Sequence, residues 1–331
     1  MKKILNYLFE HKTMSREMAY EILVNISKGV YNESELAAFM TVFLMRSITV
    51  EELSGFREAL LELCVRVKLD GLNTLDIVGT GGDGKNTFNI STLSCFIVAG
   101  AGGKITKHGN YGVSSVSGAS NVMESLGYKC SNDPGKLKTE LEDAGLCFLH
   151  APLFHPALKN VAQIRRQLGV RTFFNMLGPL VNPAFPAHQM IGVYSLEMAR
   201  VYHYIYQQTD KRYAILYSLD GYDEISLTDD TRIITQDREQ DYTPEELGKR
   251  AVHPEDIYGG VTPADATKMF VRIMSGEGTW AQNAVVLANA AVGLQCLGAH
   301  DSYEDCYQAA VESLESGSAR QVLDKLIKLQ P

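Results

Sequence analysis

The sequence predicts an α/β protein in which a small N-terminal helical domain precedes a larger domain built on a mostly parallel central sheet covered by helices. Up to about residue 70 the apolar residues recur at helical spacing and no strand pattern intervenes. From about Thr74 short β-branched runs alternate with helical segments, as strands joined by crossover helices do. Directly after the first of those runs comes a glycine-rich loop, and the ligands of such sheets bind at the carboxyl ends of strands.

The helical elements follow in order. Met18, Ile22, Leu23 and Ile26 share one face after Ser15 and stop at Lys28-Gly29, a cation followed by a terminating glycine. Asn32 with Glu35 forms a capping-box pattern ahead of Leu36, Phe39, Met40, Phe43 and Leu44, and Thr49 with Glu52 repeats it ahead of Leu53, Phe56, Leu60 and Leu63. Short helices with wide apolar faces need something to pack against, and a subunit partner is one candidate.

Strands are expected at Leu75 to Val78, Lys104 to Thr106, Leu146 to Leu149, Met190 to Tyr194 and Tyr213 to Tyr217. Helical patterns fill Leu93 to Ala101, Asn121 to Leu126, Leu196 to Gln208, Pro263 to Met274, Ala281 to Leu297 and Tyr303 to Leu314, with a last helix at Arg320 to Leu329. Thr231 to Lys249, with its charges and Pro244, reads as a variable surface excursion. No internal repeat or low-complexity segment is evident.

Composition limits the function classes. With 331 residues, 45% of them apolar, the chain can form one large α/β domain or two domains with a substantial core. A net charge of −8 disfavours a general nucleic-acid or anionic-membrane binder, which needs a basic field, but leaves small phosphorylated ligands open. The start, MKKILNYLFEHKTMS, is interrupted by Asn6, Glu10 and His11 and makes a poor signal peptide. No run approaches the length of an apolar membrane span, so a cytoplasmic protein is expected. The six cysteines form no CxxC pair and read as buried core fillers without disulfides.

Against that acidic background, no Asp or Glu occurs between Asp83 and Glu124, although 39 acidic residues in 331 would place about five there. The gap opens with GTGGDGKNTFNIST, Gly79 to Thr92, and contains Lys85, Lys104, Lys107 and His108, a composition suited to a polyanion. Gly79 to Gly84 satisfies G-x-G-x-x-G, but no helix begins within it and no carboxylate follows about twenty residues on, which argues against a dinucleotide site. Gly79 to Lys85 also fits the P-loop, except that Asn86 replaces the magnesium-binding hydroxyl. The glycines offer backbone amides to an anion. Ser91 or Thr92 is expected to cap the helix at Leu93, either as an ordinary cap or beside a phosphate on that helix end. Lys107-His108-Gly109-Asn110, Gly112 and the run Ser114 to Gly118 make a second amide- and hydroxyl-rich loop after the next strand. Asp223-Glu224, after Gly221, is either a solvated turn or a pair neutralised by a hard cation such as magnesium, with Asp83 a further carboxylate nearby.

Together DIVGTGGDGKNTFNIST (Asp76 to Thr92), KHGN (Lys107 to Asn110), RTFFNMLGPLVNP (Arg171 to Pro183) and DGYDEIS (Asp220 to Ser226) resemble the anthranilate phosphoribosyltransferase family in order and spacing, over nearly the whole chain. The resemblance implies a nucleoside phosphorylase/phosphoribosyltransferase-like fold, a homodimer formed through the helical domain, and magnesium with phosphoribosyl pyrophosphate and anthranilate as substrates in tryptophan biosynthesis. It implies a helical domain at 1–70, joined by a segment near 160–185, and a donor-binding domain at 71–331. By the same resemblance Gly79, Gly82, Asp83, Thr87, Asn89, Ile90, Ser91, Thr92 and Lys107 hold the donor, with a weaker contribution from Ala119. Ser91, Asp223 and Glu224 bind magnesium, while Gly79, Asn110 and Arg165 contact anthranilate. His108 is assigned to positioning or proton acceptance. A planar guanidinium suits a carboxylate, and Arg166 is the adjacent competitor for that role.

The family more often reads KHGNR and SGSAD where this chain has Tyr111 and Ala119-Ser120-Asn121, so a possible phosphate contact and a hydroxyl are absent. Two rivals remain. A related nucleoside phosphorylase shares the fold type but usually carries an additional C-terminal domain. A non-catalytic nucleic-acid-binding relative would show a basic stripe, which the charge of −8 and the Asp223-Glu224 pair disfavour.

Overall fold

The computed structural model describes residues 1–69, 71–112 and 115–330. The chain divides into two units, one of Met1–Val67 with Ala151–Phe185, the other of Lys68–His150 with the chain from Pro186 onward. The first unit opens with four helices, α1 (Lys2–Phe9), α2 (Arg16–Ser27), α3 (Glu33–Met45) and α4 (Val50–Leu63). Both expected capping boxes form: Asn32 and Glu35 start α3, and Thr49 and Glu52 start α4. α1, whose apolar face the sequence reading did not assign, contacts α3.

The second unit then begins with β1 (Leu75–Gly79), α5 (Ile90–Gly100), β2 (Ile105–Gly109), α6 (Ala119–Ser125), α7 (Pro134–Asp143) and β3 (Leu146–His150). The chain returns to the first unit as α8 (Ala151–Phe154), α9 (Lys159–Leu168) and α10 (Phe174–Leu177). Phe173 and Phe174 stack with centroids 4.3 Å apart, and Phe173 packs on Phe39, Phe43 and Phe56 at 4.7–6.0 Å. This aromatic cluster buries the apolar faces of α3 and α4.

The remaining elements are β4 (His188–Gly192), α11 (Leu196–Tyr206), β5 (Arg212–Ser218), β6 (Thr231–Thr235), β7 (Glu239–Tyr242), α12 (Pro244–Gly248), α13 (Pro263–Met274), α14 (Trp280–Leu297), α15 (Tyr303–Glu315) and α16 (Ser318–Lys328). The strands form one sheet in the order β3-β2-β1-β4-β5-β6-β7. The first five run parallel and β6 and β7 antiparallel. Thr231 to Lys249 is therefore no irregular excursion: it supplies the antiparallel edge of the sheet and α12. The edge strand β7 exposes three of its four side chains, so charged residues occupy it without a buried face to reveal them.

α5 and α14 are buried almost all round: both contact the sheet and each other, and α5 is further covered by α15 and α16. Their sequences are correspondingly apolar on every face. Among the described residues no helix is long and apolar enough to cross a membrane. All six cysteines are free thiols, and Cys95, Cys147, Cys296 and Cys306 are buried.

Candidate active site

β1 and β4 end side by side in register at Gly79 and Gly192. The turn carrying Asp223 lies against both strand ends. A Cβ on Gly192 would stand 1.5 Å from the Asp223 carbonyl oxygen, and one on Gly79 would stand 2.5 Å from its Oδ2. Only residues without side chains let the acidic turn approach this closely.

Beyond Gly79 the chain turns through Gly81, Gly82 and Gly84 at φ of 65°, 77° and 78°, backbone that favours glycine. Two loop amides already face carboxylates: Gly81 N–H donates to Asp223 Oδ2 at 2.6 Å and Lys85 N–H to Asp83 Oδ1 at 3.0 Å. The descending arm approaches the other acid, with Thr87 Oγ1 donating to Glu224 Oε2 at 3.3 Å. Contrary to expectation, neither Ser91 nor Thr92 caps α5. α5 begins at Ile90, so Ser91 and Thr92 lie inside its first turn, and Asn89 occupies the N-cap without a side-chain capping bond. The Ser91 N–H donates instead to Glu224 Oε1 at 3.1 Å. The Asn89 Nδ2 donates to the Ser117 carbonyl at 2.8 Å, and its buried Oδ1 has no partner among the described residues.

A second correction concerns Lys107 and His108, which belong to β2 and not to a loop after it. Pairing with β3 extends the strand to Gly109 opposite His150. Both side chains are buried. Lys107 Nζ donates to the Ile77 carbonyl at 2.6 Å and to Ser91 Oγ at 3.4 Å, which brings a cation behind the glycine loop. His108 is held through its backbone N–H by Asp76 Oδ1 at 3.1 Å, and Gln189 Nε2 donates to the other oxygen of Asp76 at 2.9 Å.

Asn110 is exposed just past the strand, with Oδ1 accepting the Tyr111 N–H at 2.8 Å. Ser114 lies outside the described residues. Ala119 is the first residue of α6, and Asn121 Oδ1 accepts the Gly112 and Gly118 N–H groups at 3.1 and 3.0 Å. Tyr111 directs its hydroxyl to Glu124 at 2.9 Å and its ring edge-on to His150.

Asp223 and Glu224 are buried, 8% and 9% exposed, which removes the solvated-turn alternative. Burial, then the nearby Asp83 charge, pushes the Asp223 carboxyl up to about 7, against its Gly81 hydrogen bond and Lys107. Burial, then Asp223 and Asp83, raises Glu224 well above the usual carboxylate range. The turn is fixed from behind. Asn289 Oδ1 accepts the Ile225 N–H at 3.1 Å, its Nδ2 donates to the Ile225 carbonyl at 2.8 Å, and Ser218 Oγ donates to the Glu224 carbonyl at 2.6 Å. Among the described residues no group of three or more His, Cys, Asp or Glu side chains is arranged to hold a metal ion. Two desolvated, mutually repelling carboxylates nonetheless fit magnesium, which takes one or two carboxylates and completes its shell with water and ligand phosphates.

Arg165 lies in the other unit, on α9. Its guanidinium sits 5.4 Å over the Phe174 ring, and Nη2 donates to Asn175 Oδ1 at 3.2 Å. Burial lowers its pKa, and among the described residues it has no carboxylate partner. Arg166 is exposed. Sequence reasoning overlooked Asp76 and Asn289. A lone Asn in the otherwise apolar stretch Ala284 to Leu294 was the available signal for the second, because a buried amide there requires partners.

The glycosyl transferase family α/β domain matches residues 71–320, and the helical bundle domain of the same family matches residues 2–64. The anthranilate phosphoribosyltransferase of Flavobacterium johnsoniae is 56% identical over 99% of both chains. The chain belongs to the anthranilate phosphoribosyltransferase family. Among solved structures, the anthranilate phosphoribosyltransferase of Thermus thermophilus superposes with a TM-score of 0.91 at 30% identity, covering 98% of each chain. The Saccharomyces cerevisiae anthranilate phosphoribosyltransferase in complex with PRPP and Mg gives 0.86 at 27% identity, covering 95% of this chain and 93% of that one. Family membership makes the chain a glycosyltransferase, and neither rival reading has support in these relatives.

Proposed function

We propose that this protein transfers the phosphoribosyl group of phosphoribosyl pyrophosphate to the amine of anthranilate, giving N-(5-phosphoribosyl)anthranilate and pyrophosphate in tryptophan biosynthesis. The observation that carries the reading is the buried Asp223-Glu224 pair hydrogen-bonded to the glycine loop through Gly81 and Thr87 and to the first turn of α5 through Ser91. Such a pair, once ionised, suits a cation, and the adjoining amide- and hydroxyl-rich loops suit the polyanion that shares it.

In the reaction the bond from the anomeric carbon to the pyrophosphate oxygen breaks, a bond from the anthranilate nitrogen forms on the opposite face, and that nitrogen releases a proton. Asp223, Glu224 and Ser91 would hold magnesium, which would supply charge stabilisation to the leaving pyrophosphate. Gly79, Gly82, Asp83, Thr87, Asn89, Ile90, Ser91, Thr92 and Lys107 hold the donor, with Ala119 at its margin. Gly79, Asn110 and Arg165 position anthranilate, and the half-buried guanidinium of Arg165, with no carboxylate partner among the described residues, is suited to the carboxylate. His108 positions the acceptor or takes its proton. Holding two substrates in line supplies about 7 kcal/mol or more in favourable cases, so no strong base is required.

The working domains are taken as the two units of the fold, Met1–Val67 with Ala151–Phe185 as the helical domain and the rest of the chain as the donor-binding domain. The protein is cytoplasmic and dimerises through its helical domain, where Phe9, Leu44 and Met45 are exposed. A monomer by analytical ultracentrifugation at assay concentrations would refute the dimer. The test of the activity is loss of anthranilate fluorescence, expected only with both magnesium and phosphoribosyl pyrophosphate present. Unchanged fluorescence at every substrate concentration rejects the enzyme reading. Arg165→Ala should raise the anthranilate KM more than the donor KM, and equal rises would reject its assignment.

A further inference from the structure

We infer that Asn86 is a positioning residue that sets the shape of the pyrophosphate site by tying the descending arm of the glycine loop to the segments on both sides of it. The inference rests on the reading of that loop as the donor site. Asn86 stands where a P-loop carries its metal-binding hydroxyl, yet its side chain turns to the protein. Its Oδ1 accepts the Val116 N–H at 3.1 Å, and its Nδ2 donates to the Gly260 carbonyl at 2.8 Å. Its backbone carbonyl also accepts the Gly259 N–H at 2.7 Å.

These bonds close a three-segment layer. Thr87 forms an antiparallel bridge with Tyr258, and the Phe88 N–H donates to the Ile257 carbonyl at 3.3 Å. On the opposite side Asn89 reaches the Ser117 carbonyl. The 257–260 segment lies so close that a Cβ on Gly259 would be 2.4 Å from the Thr87 carbonyl oxygen. Residues 86–89 therefore run between 116–117 and 257–260, and the Asn86 amide spans both gaps with one side chain. Only an amide of this length offers the acceptor to one side and the donor to the other: Asp keeps the first and loses the second, and Leu offers neither. Thr87, Asn89 and Ser91, which flank or follow this clamp, are the groups assigned to the donor. Releasing it displaces them together, while Arg165 and its Phe174 shelf, in the other unit, are untouched.

The test measures binding of inorganic pyrophosphate with magnesium by calorimetry, together with both KM values, for the wild type, Asn86→Ala and Gly259→Ala. Loss of one or two ordinary hydrogen bonds predicts that Asn86→Ala weakens pyrophosphate binding and raises the donor KM by about tenfold, with the anthranilate KM within about twofold of wild type. Gly259→Ala, which forces the same layer apart from its other side, should give the same donor-selective loss and stands in if Asn86→Ala does not fold. Wild-type pyrophosphate affinity in both variants, or equal rises in both KM values, overturns the inference. A wild-type protein that binds pyrophosphate but turns nothing over rejects the proposed reaction alone, and the calorimetric comparison still decides the role of Asn86. A wild type that binds no pyrophosphate rejects both.

Discussion

The acidic turn at Asp223-Glu224 and the glycine loop at Gly79–Asn89 face each other across a few hydrogen bonds, yet they are secured by opposite means. The turn holds its charges inside the protein and is braced from behind by buried groups, Asn289 and Ser218. The loop is fastened sideways by half-buried asparagine side chains. Charge is thus concentrated where the backbone has the most buried support, because desolvated carboxylates move to any compensating partner unless they are restrained. The neutral loop can then rely on amides and on Lys107.

The largest effect should come from disturbing the seat of the turn. Gly192→Ala puts a Cβ into the Asp223 carbonyl, so both carboxylates shift relative to the loop. Displacing the charge-stabilising groups predicts a fall in kcat/KM on the order of 1,000-fold, with a stability loss of about 1–3 kcal/mol from overpacking. Near-normal kinetics would mean that the turn tolerates movement and that the contrast with the loop is false.

Asp223→Asn separates charge from shape. Removing one of two repelling buried charges should leave the thermal midpoint without magnesium unchanged or higher, while activity falls about 100-fold and the midpoint stops responding to magnesium. A variant that is less stable without magnesium and still responds to it would show that Asp223 is not the strained partner.

Asn289→Ala probes the brace. It strands the Ile225 N–H and carbonyl in the core, costing about 1–3 kcal/mol in chemical denaturation. As an outer support of a metal ligand it should also weaken magnesium binding by roughly 10- to 100-fold. A stability loss without any change in magnesium affinity would reduce Asn289 to a core residue.

What was legible in the sequence follows the range of the forces involved. The Gly79 loop and the Asp223-Glu224 turn could be read because glycine conformation and adjacent charge are local properties. α14 could be read from its apolar run alone. Lys107 and His108 fell outside the expected strand because their place depends on pairing with β3, some forty residues away. The start of α5 was misplaced because the Ser91 amide answers to Glu224, which no local capping rule contains. β7 escaped because an exposed edge strand carries no buried alternation. Asp76 and Asn289 act through partners more than thirty residues distant, so their type was visible and their purpose was not.

The smallest expected effect, about tenfold, concerns the turn's charge state. An Asp223 carboxyl raised from 3.8 to about 7 favours the protonated form in the folded protein. Its contribution to stability is therefore full below pH 4 and lost as pH rises through about 7, where the Asp223 carboxyl ionises in the folded protein. Magnesium requires the ionised pair, so protons compete with it below pH 7 and its affinity should fall about tenfold between pH 8 and pH 6 for one linked proton. The upward shift in thermal midpoint on adding a fixed magnesium concentration should accordingly be larger at pH 8 than at pH 6. The same comparison in Asp223→Asn should be flat, since its midpoint no longer responds to magnesium at either pH. A shift in the wild type that is equal at both values, or larger at pH 6, would mean that the pair is already ionised without the metal. The glycine loop amides and Lys107, and not the cation, would then be what compensates the turn.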